Sequence, residues 1–298
     1  VKHGTTNFLA TTLTSSKETL KEVLEKIGKL QNEDIEGATI FGAHMEGPYF
    51  DVQYKGAQND KYITPAGVKE IEEYLSVKPG LVKLFSMAAK GEGALESIKY
   101  LKENGVVVSV GHSGISFEEV QSAVKAGISH ATHTFNGMKG FTHREPGVAG
   151  AVMVNDNINA EIIFDKIHVH PEAVRLLIKA KGVDKVVCIT DAMCATGLPA
   201  GNYKLGELDV YVKDGQARLV SNDSLAGSVL TLDKAFKHVI ELGYSIFDAV
   251  KMTSTNAAKE FGLNAGILQE GKDADIVVLN PDYSVDMTIV KGNIKYQA

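Results

Sequence analysis

The chain has 298 residues, of which 44% are hydrophobic and 23% are charged; this composition is typical of globular proteins and excludes disordered and fibrous ones. Its 31 basic and 37 acidic residues give a net charge of −6, and no dense run of lysine and arginine provides the basic surface that nucleic-acid binding requires. We therefore expect a small-molecule substrate and no nucleic-acid partner.

Cysteine content and hydropathy bear on where the protein works. Only Cys188 and Cys194 are present, and Cys188 lies in an apolar run, which favours a reduced chain over a disulfide framework. No apolar run reaches the ~18 residues of a membrane helix, and no signal-peptide pattern opens the chain. We expect a cytoplasmic protein with no membrane partner.

Short β-branched or apolar runs alternate with amphipathic stretches over the first 190 residues. Helical periodicity separates most of the runs, at residues 17–31, 65–77, 94–104, 117–126 and 171–181. Strands that recur with intervening helices indicate a parallel sheet buried on both faces, in either a doubly wound or a barrel arrangement. The seven predicted strands are residues 6–10, 38–43, 81–86, 106–110, 130–134, 161–164 and 186–190.

The pattern changes after residue 200. Residues 203–220 predict a β-hairpin, because Asp214 and Gly215 separate two alternating runs. Helical periodicity returns at residues 229–242, 246–252 and 256–261. A short β tail then closes the chain, with predicted strands at residues 276–279, 284–290 and 293–296.

Side chains that can bind a metal lie at the carboxyl ends of four of the predicted strands: Glu46, His112, His133 and Asp191. Because active sites of parallel α/β folds lie beyond the carboxyl ends of the strands, we expect these side chains to converge. Two imidazoles and one carboxylate are the ligands of an open catalytic metal site, and a second carboxylate can then move protons. Each residue alone also fits a structural role, such as a loop histidine, a turn residue or a helix N-cap.

Five segments are distinctive: Gly-Ala-His44-Met-Glu46-Gly-Pro, Val-Gly-His112-Ser, Ala-Thr-His133-Thr-Phe-Asn136-Gly-Met, Arg144-Glu-Pro-Gly and Thr-Asp191-Ala. Together with Leu225-Ala-Gly-Ser and the tail Gly-Ile-Leu-Gln-Glu-Gly-Lys-Asp-Ala-Asp, they resemble the amidohydrolase superfamily, and within it the N-acetylglucosamine-6-phosphate deacetylase family. The resemblance covers nearly the whole chain in order. The tail marks the superfamily in general, whereas the Glu-Gly-Pro and His-Thr-Phe-Asn-Gly-Met segments are far more specific.

This resemblance implies an α/β fold: a (β/α)8 TIM-like barrel of the metal-dependent hydrolase type with a small β-sandwich domain. Residues 1–270 would form the barrel, with a β-hairpin insertion near residues 203–220, and residues 271–298 would form the C-terminal part of the sandwich. The His-x-His pair that usually ends the superfamily's first barrel strand has no counterpart here. We therefore expect the first barrel strand and the N-terminal strands of the sandwich to be missing from this chain.

The resemblance also implies a reaction and a cofactor. Glu46, His112 and His133 would bind a divalent metal ion, and Asp191 would act as catalytic acid and base in the hydrolysis of N-acetylglucosamine 6-phosphate to glucosamine 6-phosphate and acetate. The ligand set suits Zn²⁺, Fe²⁺, Mn²⁺ and Co²⁺ alike. One ion is expected, and a second would require the missing histidine pair.

Substrate contacts are implied at seven further positions. His168 matches a histidine near the sugar and the scissile carbonyl, and Arg144 matches an arginine that binds the phosphate in the neighbouring subunit's site, which implies a homodimer. Gln58 stands where many relatives carry a histidine, and we expect it to contribute a hydrogen bond. The other four positions are Asn136 and Gly137, which match substrate contacts, and Leu225 and Ala226, which would line the acetyl pocket.

Two other interpretations remain open. The chain could be another amidohydrolase that acts on a different N-acyl or cyclic amide; such enzymes typically use a carboxylated lysine or differently placed ligands, and the predicted strand at residues 81–86 ends without one. It could also be a catalytically silent barrel that serves as a scaffold. A silent barrel has no need to keep three metal ligands and a free carboxylate.

Overall fold

The computed structural model describes residues 1–33 and 35–298, and its largest element is a parallel sheet of seven strands. Strands that are consecutive in the chain are also neighbours in the sheet, and every pairing between them is parallel. The seven predicted strands are thus confirmed. They are β1 (Asn7–Thr11), β2 (Thr39–Glu46), β3 (Val82–Met87), β4 (Val107–Val110), β5 (Ile128–Ala131), β6 (Asn159–Ile163) and β7 (Val186–Ile189).

Helices connect the strands and cover the sheet. Their sequences explain their bounds; in the first helix, for example, Ser16 accepts a hydrogen bond from the backbone of Thr19, and Leu20 and Leu24 are buried one turn apart. They are α1 (Lys17–Leu30), α2 (Val68–Val77), α3 (Ala94–Glu103), α4 (Phe117–Ala126), α5 (Gly147–Val154) and α6 (Pro171–Lys181). Short 3₁₀ turns occur at Val52–Tyr54, Asp60–Tyr62 and Val183–Lys185.

Two details of this region differ from the prediction. The helix α5 was not predicted, because it is apolar on all sides and almost completely buried, so its sequence has no amphipathic period. The strand β5 ends at Ala131 rather than at residue 134. His133 therefore lies in the turn after the strand and not within it.

The sheet is strongly curled. In a flat sheet, β2 and β5 would be separated by three strand spacings, or about 14 Å. Glu46 ends β2 and His133 follows β5, yet Glu46 Oε1 lies only 3.4 Å from His133 Nε2. The curl brings the carboxyl ends of distant strands together, as in the α/β barrel type that the resemblance implied.

A three-stranded antiparallel sheet follows β7 and consists of β8 (Gly201–Leu205), β9 (Leu208–Lys213) and β10 (Gln216–Leu219). The predicted hairpin corresponds to β9 and β10. The additional strand β8 was missed because the second tight turn is formed by Gly206 and Glu207, a weaker turn signal than Asp214 and Gly215. Gly206 has a φ of 58°, which glycine adopts without strain.

Helical structure and a second antiparallel sheet complete the chain. The helices are α7 (Leu232–Glu241), α8 (Ile246–Val250) and α9 (Asn256–Glu260), and a π-helical turn (Lys251–Thr255) joins the last two. The sheet contains β11 (Ile276–Leu279), β12 (Val285–Val290) and β13 (Asn293–Gln297). A boundary between two domains at residue 270 stays a prediction. Among the described residues, no helix has the length and apolar character needed to cross a membrane.

The interior of the curled sheet is polar below the carboxyl ends of its strands. The Thr132 hydroxyl lies 2.6 Å from the hydroxyls of both Ser86 and Ser109, and Ser86 Oγ lies 2.7 Å from His44 Nε2. Burial lowers the pKa of His44, so this imidazole is neutral. His44 thus belongs to a buried hydrogen-bond network that links β2, β3, β4 and the residue after β5.

His130 lies completely buried between two carboxylates. Its Nδ1 is 2.8 Å from Glu260 Oε1 on α9, and its Nε2 is 2.9 Å from Glu161 Oε1 on β6. Burial by itself would lower the pKa of His130, but the charges of Glu260 and Glu161 outweigh that effect and raise the pKa to about 10. A charged imidazole therefore ties β5 to β6 and to the outer helix α9.

The charge on His130 should make the metal-free protein less stable as the pH rises. Because its pKa is higher in the folded chain than the ordinary value of 6.5, its stabilising contribution is complete below that pH and is lost as the pH passes through about 10. We expect the variant Glu260→Gln to be about 3–5 kcal/mol less stable near pH 7, since it breaks a buried pair.

The measurement is chemical unfolding of both proteins, in chelator, between about pH 7 and 10. Stability should decrease with pH less steeply in Glu260→Gln than in the wild type, because the pKa of His130 is raised less in the variant. Identical pH slopes for the two proteins would show that His130 is not charged in this way.

Candidate metal centre and active site

A cavity of about 330 Å³ opens beyond the carboxyl ends of the parallel strands. Its volume lies near the lower limit for small-molecule sites. The lining includes all four residues at the carboxyl ends of predicted strands, Glu46, His112, His133 and Asp191. Five of the seven further predicted positions line it as well: Gln58, Asn136, Gly137, His168 and Leu225.

Glu46, His112 and His133 form a compact buried cluster, in which one ligand atom from each residue lies within 4.8 Å of the other two. Glu46 Oε1 is 2.9 Å from His112 Nε2 and 3.4 Å from His133 Nε2. The two Nε2 atoms are 3.1 Å apart. Glu46 ends β2, and His112 and His133 follow β4 and β5, so the curl of the sheet creates the cluster.

The outer ring nitrogens show that this cluster fits a cation. His112 Nδ1 lies 2.9 Å from the carbonyl oxygen of Tyr54, and His133 Nδ1 lies 3.1 Å from that of Asn136. A carbonyl oxygen only accepts, so each Nδ1 carries a proton, and each ring, in its neutral form, presents the lone pair of its Nε2 to the cluster. Two imidazole lone pairs and a carboxylate directed at one another are the donor set of a divalent metal site.

Protons compete with a metal for this cluster. Burial would raise the pKa of Glu46, but hydrogen bonds from His112 and His133 hold it well below its usual range. Burial would lower the pKa of His133, but the hydrogen bond to Glu46 and its charge raise it to about 9. At neutral pH the metal-free cluster therefore retains a proton, which must leave when a metal binds.

Sharp backbone turns position three of the four residues. His112, His133 and Asp191 have φ values of 48°, 32° and 51°, in the left-handed region that residues other than glycine seldom adopt. Each such residue costs of order 1–3 kcal/mol and persists only where its surroundings enforce it. Each is the second residue beyond the end of a parallel strand, where the turn places its side chain in the cavity.

The remaining carboxylate, Asp191, lies half-buried at the cavity wall. Burial and the charge of Glu46 raise its pKa, and the neighbouring His133 and His168 offset part of the shift, so that the pKa is about 7. An acid with this pKa exchanges a proton readily near neutral pH. The alternative of a helix N-cap does not apply, because turns and not a helix follow Asp191.

His168 is held in one orientation by Asp165, which sequence reasoning did not single out. Asp165 Oδ2 lies 2.6 Å from His168 Nδ1, while Oδ1 accepts backbone hydrogen bonds from Ile167 and His168. This arrangement places the proton of a neutral imidazole on Nδ1 and leaves Nε2 for a partner in the cavity. An aspartate two or three residues before the bonded amides is a signal that could have identified the turn.

Gln58 contacts the candidate metal cluster directly. Its Nε2 donates to Glu46 Oε1 over 3.2 Å, and its Oε1 accepts from the backbone nitrogen of Thr14 over 2.9 Å. Asn136, in contrast, has a buried Nδ2 for which the described residues provide no hydrogen-bond acceptor. A ligand acceptor would satisfy this donor. At Gly137, a Cβ would lie 2.9 Å from His112 Nδ1, so a side chain would displace the imidazole.

Two predicted positions lie outside the cavity lining. Ala226 is completely buried in a small apolar cluster behind the cavity wall, next to Leu225, which does line it. Arg144 is exposed, in a loop after Asn136. Conversely, Thr12, Met193, Cys194 and Leu205 line the cavity without having been predicted. Leu205 lies on β8, and sequence alone does not show where the antiparallel sheet β8–β10 packs.

Comparisons with known proteins agree with this arrangement. A model of the amidohydrolase family matches residues 1–295. The N-acetylglucosamine-6-phosphate deacetylase of Lysinibacillus sphaericus is 40% identical, with 100% of this chain and 77% of the relative covered. A mutant of the N-acetyl-D-glucosamine-6-phosphate deacetylase of Mycobacterium smegmatis, solved with N-acetyl-D-glucosamine-6-phosphate, matches with a TM-score of 0.94 and 32% identity over 99% of this chain and 77% of that chain. The N-acetylglucosamine-6-phosphate deacetylase of Thermotoga maritima matches with a TM-score of 0.93 and 37% identity, over 100% of this chain and 80% of that chain.

The variant His112→Gln should bind a divalent metal far more weakly than the wild type. It removes one of three ligand atoms, so the loss should exceed the 10- to 100-fold that removal of a supporting second-shell partner typically causes. The measurement is competition for Zn²⁺ against a chromophoric chelator. The exposed His143 provides a matched control, and His143→Gln should leave the affinity unchanged. Equal affinities for all three proteins would mean that the cluster is not the metal site.

Proposed function

The chain belongs to the amidohydrolase family, and we propose that it hydrolyses the acetamide bond of N-acetylglucosamine 6-phosphate, giving glucosamine 6-phosphate and acetate. The observation that carries this proposal is the meeting of Glu46, His112 and His133 with the free carboxylate of Asp191 in one cavity. The relatives that bear this activity in their names match the chain from end to end, which supports the choice of substrate.

Glu46, His112 and His133 would hold one divalent cation. When bound, a cation at such a site lowers the pKa of water and polarises the carbonyl of the substrate amide. The donor set suits Zn²⁺, Fe²⁺, Mn²⁺ and Co²⁺. Gln58 stabilises the carboxylate of Glu46 by donating a hydrogen bond to Oε1.

Asp191 moves the proton during hydrolysis. As a carboxylate it takes a proton from the attacking water, and it then donates that proton to the amine nitrogen, which leaves poorly without one. A pKa of about 7 in the metal-free chain allows both steps near neutral pH. The positive charge of a bound cation would lower this pKa and keep Asp191 in the carboxylate form that the first step requires.

Other groups of the cavity and its wall, namely His168, Asn136, Gly137, Leu225 and Ala226, orient the sugar and its acetamide group. Asp165 holds His168 so that Nε2 can accept from a hydroxyl group or, if protonated, donate to the carbonyl of the substrate. The buried Nδ2 of Asn136 donates to a substrate oxygen. Gly137 allows close approach of the ligand to the backbone, and Leu225, with Ala226 behind it, forms an apolar wall for the acetyl methyl group.

Arg144 binds the phosphate group in the active site of the partner subunit of a homodimer. Its guanidinium group is exposed and outside the cavity of its own chain, as this role requires. A planar guanidinium forms two parallel hydrogen bonds with phosphate. The substrate is a small charged metabolite and both cysteines are free, which fits a cytoplasmic enzyme.

Acetate release tests the substrate and the proton transfer together. We expect hydrolysis of N-acetylglucosamine 6-phosphate that falls by about 10²- to 10⁴-fold in Asp191→Asn, the usual contribution of an acid-base group. The exposed carboxylate in Asp184→Asn serves as the control and should leave the rate unchanged. N-acetylglucosamine without phosphate should react much more slowly. A folded, metal-loaded protein that releases no acetate would exclude the deacetylase and leave another amidohydrolase or a silent barrel.

Mixing two variants of reduced activity tests the role of Arg144. We expect Arg144→Ala to lower kcat/KM by roughly 10- to 100-fold, because it removes charged hydrogen bonds to the phosphate. If the subunits exchange, an equal mixture of Arg144→Ala and Asp191→Asn should regain about a quarter of the wild-type activity, since half of the dimers contain one intact site. Activity equal to the sum of the separate variants would place Arg144 in its own chain's site.

A further inference from the structure

We propose that Glu161 is a positioning residue for the metal ligand His133, acting on the backbone of the turn that contains it. The role of His133 as a ligand rests on the proposed function, but the contacts of Glu161 do not. Glu161 lies on β6, is buried, and is absent from the cavity lining. It therefore cannot act by touching the substrate.

The first observation is where the pairing of β5 and β6 ends. The regular register joins His130 to Asn159 and Ala131 to Ala160, and then stops. At the next positions the backbone nitrogen of His133 donates to the carboxylate oxygen Oε2 of Glu161, over 3.2 Å, and the backbone nitrogen of Thr134 donates to the carbonyl of Glu161, over 2.9 Å. Glu161 thus holds the chain with both its side chain and its backbone where the strand has ended.

The second observation is the conformation of the residue that Glu161 holds. His133 has a φ of 32°, and its imidazole must present Nε2 to Glu46 and His112. A strained conformation of this kind persists only if surrounding contacts enforce it. A hydrogen bond from the strained residue's own nitrogen to a charged acceptor is such a contact, and it is stronger than one to a neutral acceptor.

The third observation is that Glu161 is itself fixed. Its other oxygen, Oε1, lies 2.9 Å from His130 Nε2, and His130 is held from the opposite side by Glu260 on α9. One carboxylate oxygen therefore meets the buried His130, while the other meets the turn at His133. A continuous series of contacts runs from the outer helix α9 through His130 and Glu161 to the metal cluster.

The pair Glu161 and Glu260 provides a matched experiment, because each contributes one carboxylate to the same imidazole and only Glu161 touches the turn. We propose to measure Zn²⁺ affinity by chelator competition for the variants Glu161→Ala, Glu161→Gln and Glu260→Gln, at a temperature where circular dichroism shows each to be folded. Visible absorption of the Co²⁺-loaded proteins reports the ligand geometry independently of activity.

Glu161→Ala should weaken Zn²⁺ binding by about 10- to 100-fold, as loss of a partner of a metal ligand typically does. Glu161→Gln keeps a neutral acceptor for the His133 amide, so its loss of Zn²⁺ affinity should be smaller than that of Glu161→Ala. The loss should still exceed that of Glu260→Gln, whose Zn²⁺ affinity should remain within about twofold of the wild type. The Co²⁺ bands should shift in the Glu161 variants alone. If Glu161→Ala does not fold, the comparison of the two glutamine variants decides.

The proposal is overturned if the Glu161 variants bind Zn²⁺ as tightly as the wild type, or if Glu260→Gln binds it equally weakly, because Glu161 would then contribute only to stability. These outcomes do not depend on the substrate. A wild-type protein that binds Zn²⁺ but releases no acetate would contradict the proposed function and leave the result on Glu161 intact.

Discussion

The rest of the site depends on one arrangement: two imidazole nitrogens that lie 3.1 Å apart and both face a buried carboxylate. A neutral ring presents the lone pair of Nε2 to the cluster only if its proton is on Nδ1, and a backbone carbonyl that accepts from Nδ1 fixes the proton there. The carbonyl oxygen of Tyr54 accepts from His112 Nδ1, and that of Asn136 accepts from His133 Nδ1. The backbone of the loops after β2 and β5 is thus part of the metal centre, beside the ligand side chain that His133 contributes.

Geometry at the strand ends imposes a second requirement. The strands lie about 4.8 Å apart, so side chains from β2, β4, β5 and β7 meet only because the sheet curls and because the chain turns sharply where the strands end. The left-handed residues His112, His133 and Asp191 make these turns, at a cost in conformational energy. The buried core and the hydrogen bonds around the turns offset that cost, which explains why charged and polar groups such as Glu161 lie in the interior of the sheet.

Much of the fold could be predicted from sequence, because the change between strand and helix periodicity is a local signal. All seven parallel strands and the order of the helices between them followed from it. The helix Gly147–Val154 did not, since a helix that is buried on every side has no polar face. The strand Gly201–Leu205 was also missed, because the turn that joins it to β9, at Gly206 and Glu207, is a weak signal in the sequence.

The site also has features that the sequence predicts and features that only the folded structure shows, and three histidines illustrate the difference. His44, His130 and His133 all lie in or shortly after interior strands, and their positions relative to the strands do not separate them; only the family resemblance of the segment around His133 singled it out. His44 is neutral because burial lowers its pKa and both of its ring nitrogens face hydroxyl groups rather than carboxylates, whereas His130 is charged because a carboxylate faces each of its nitrogens. His133 has a carbonyl at one nitrogen and the cluster at the other, so it alone of the three can present a lone pair to a cation. The partners of Nδ1 and Nε2 come from residues up to 130 positions away, so the chemical role of each imidazole is a property of the folded chain.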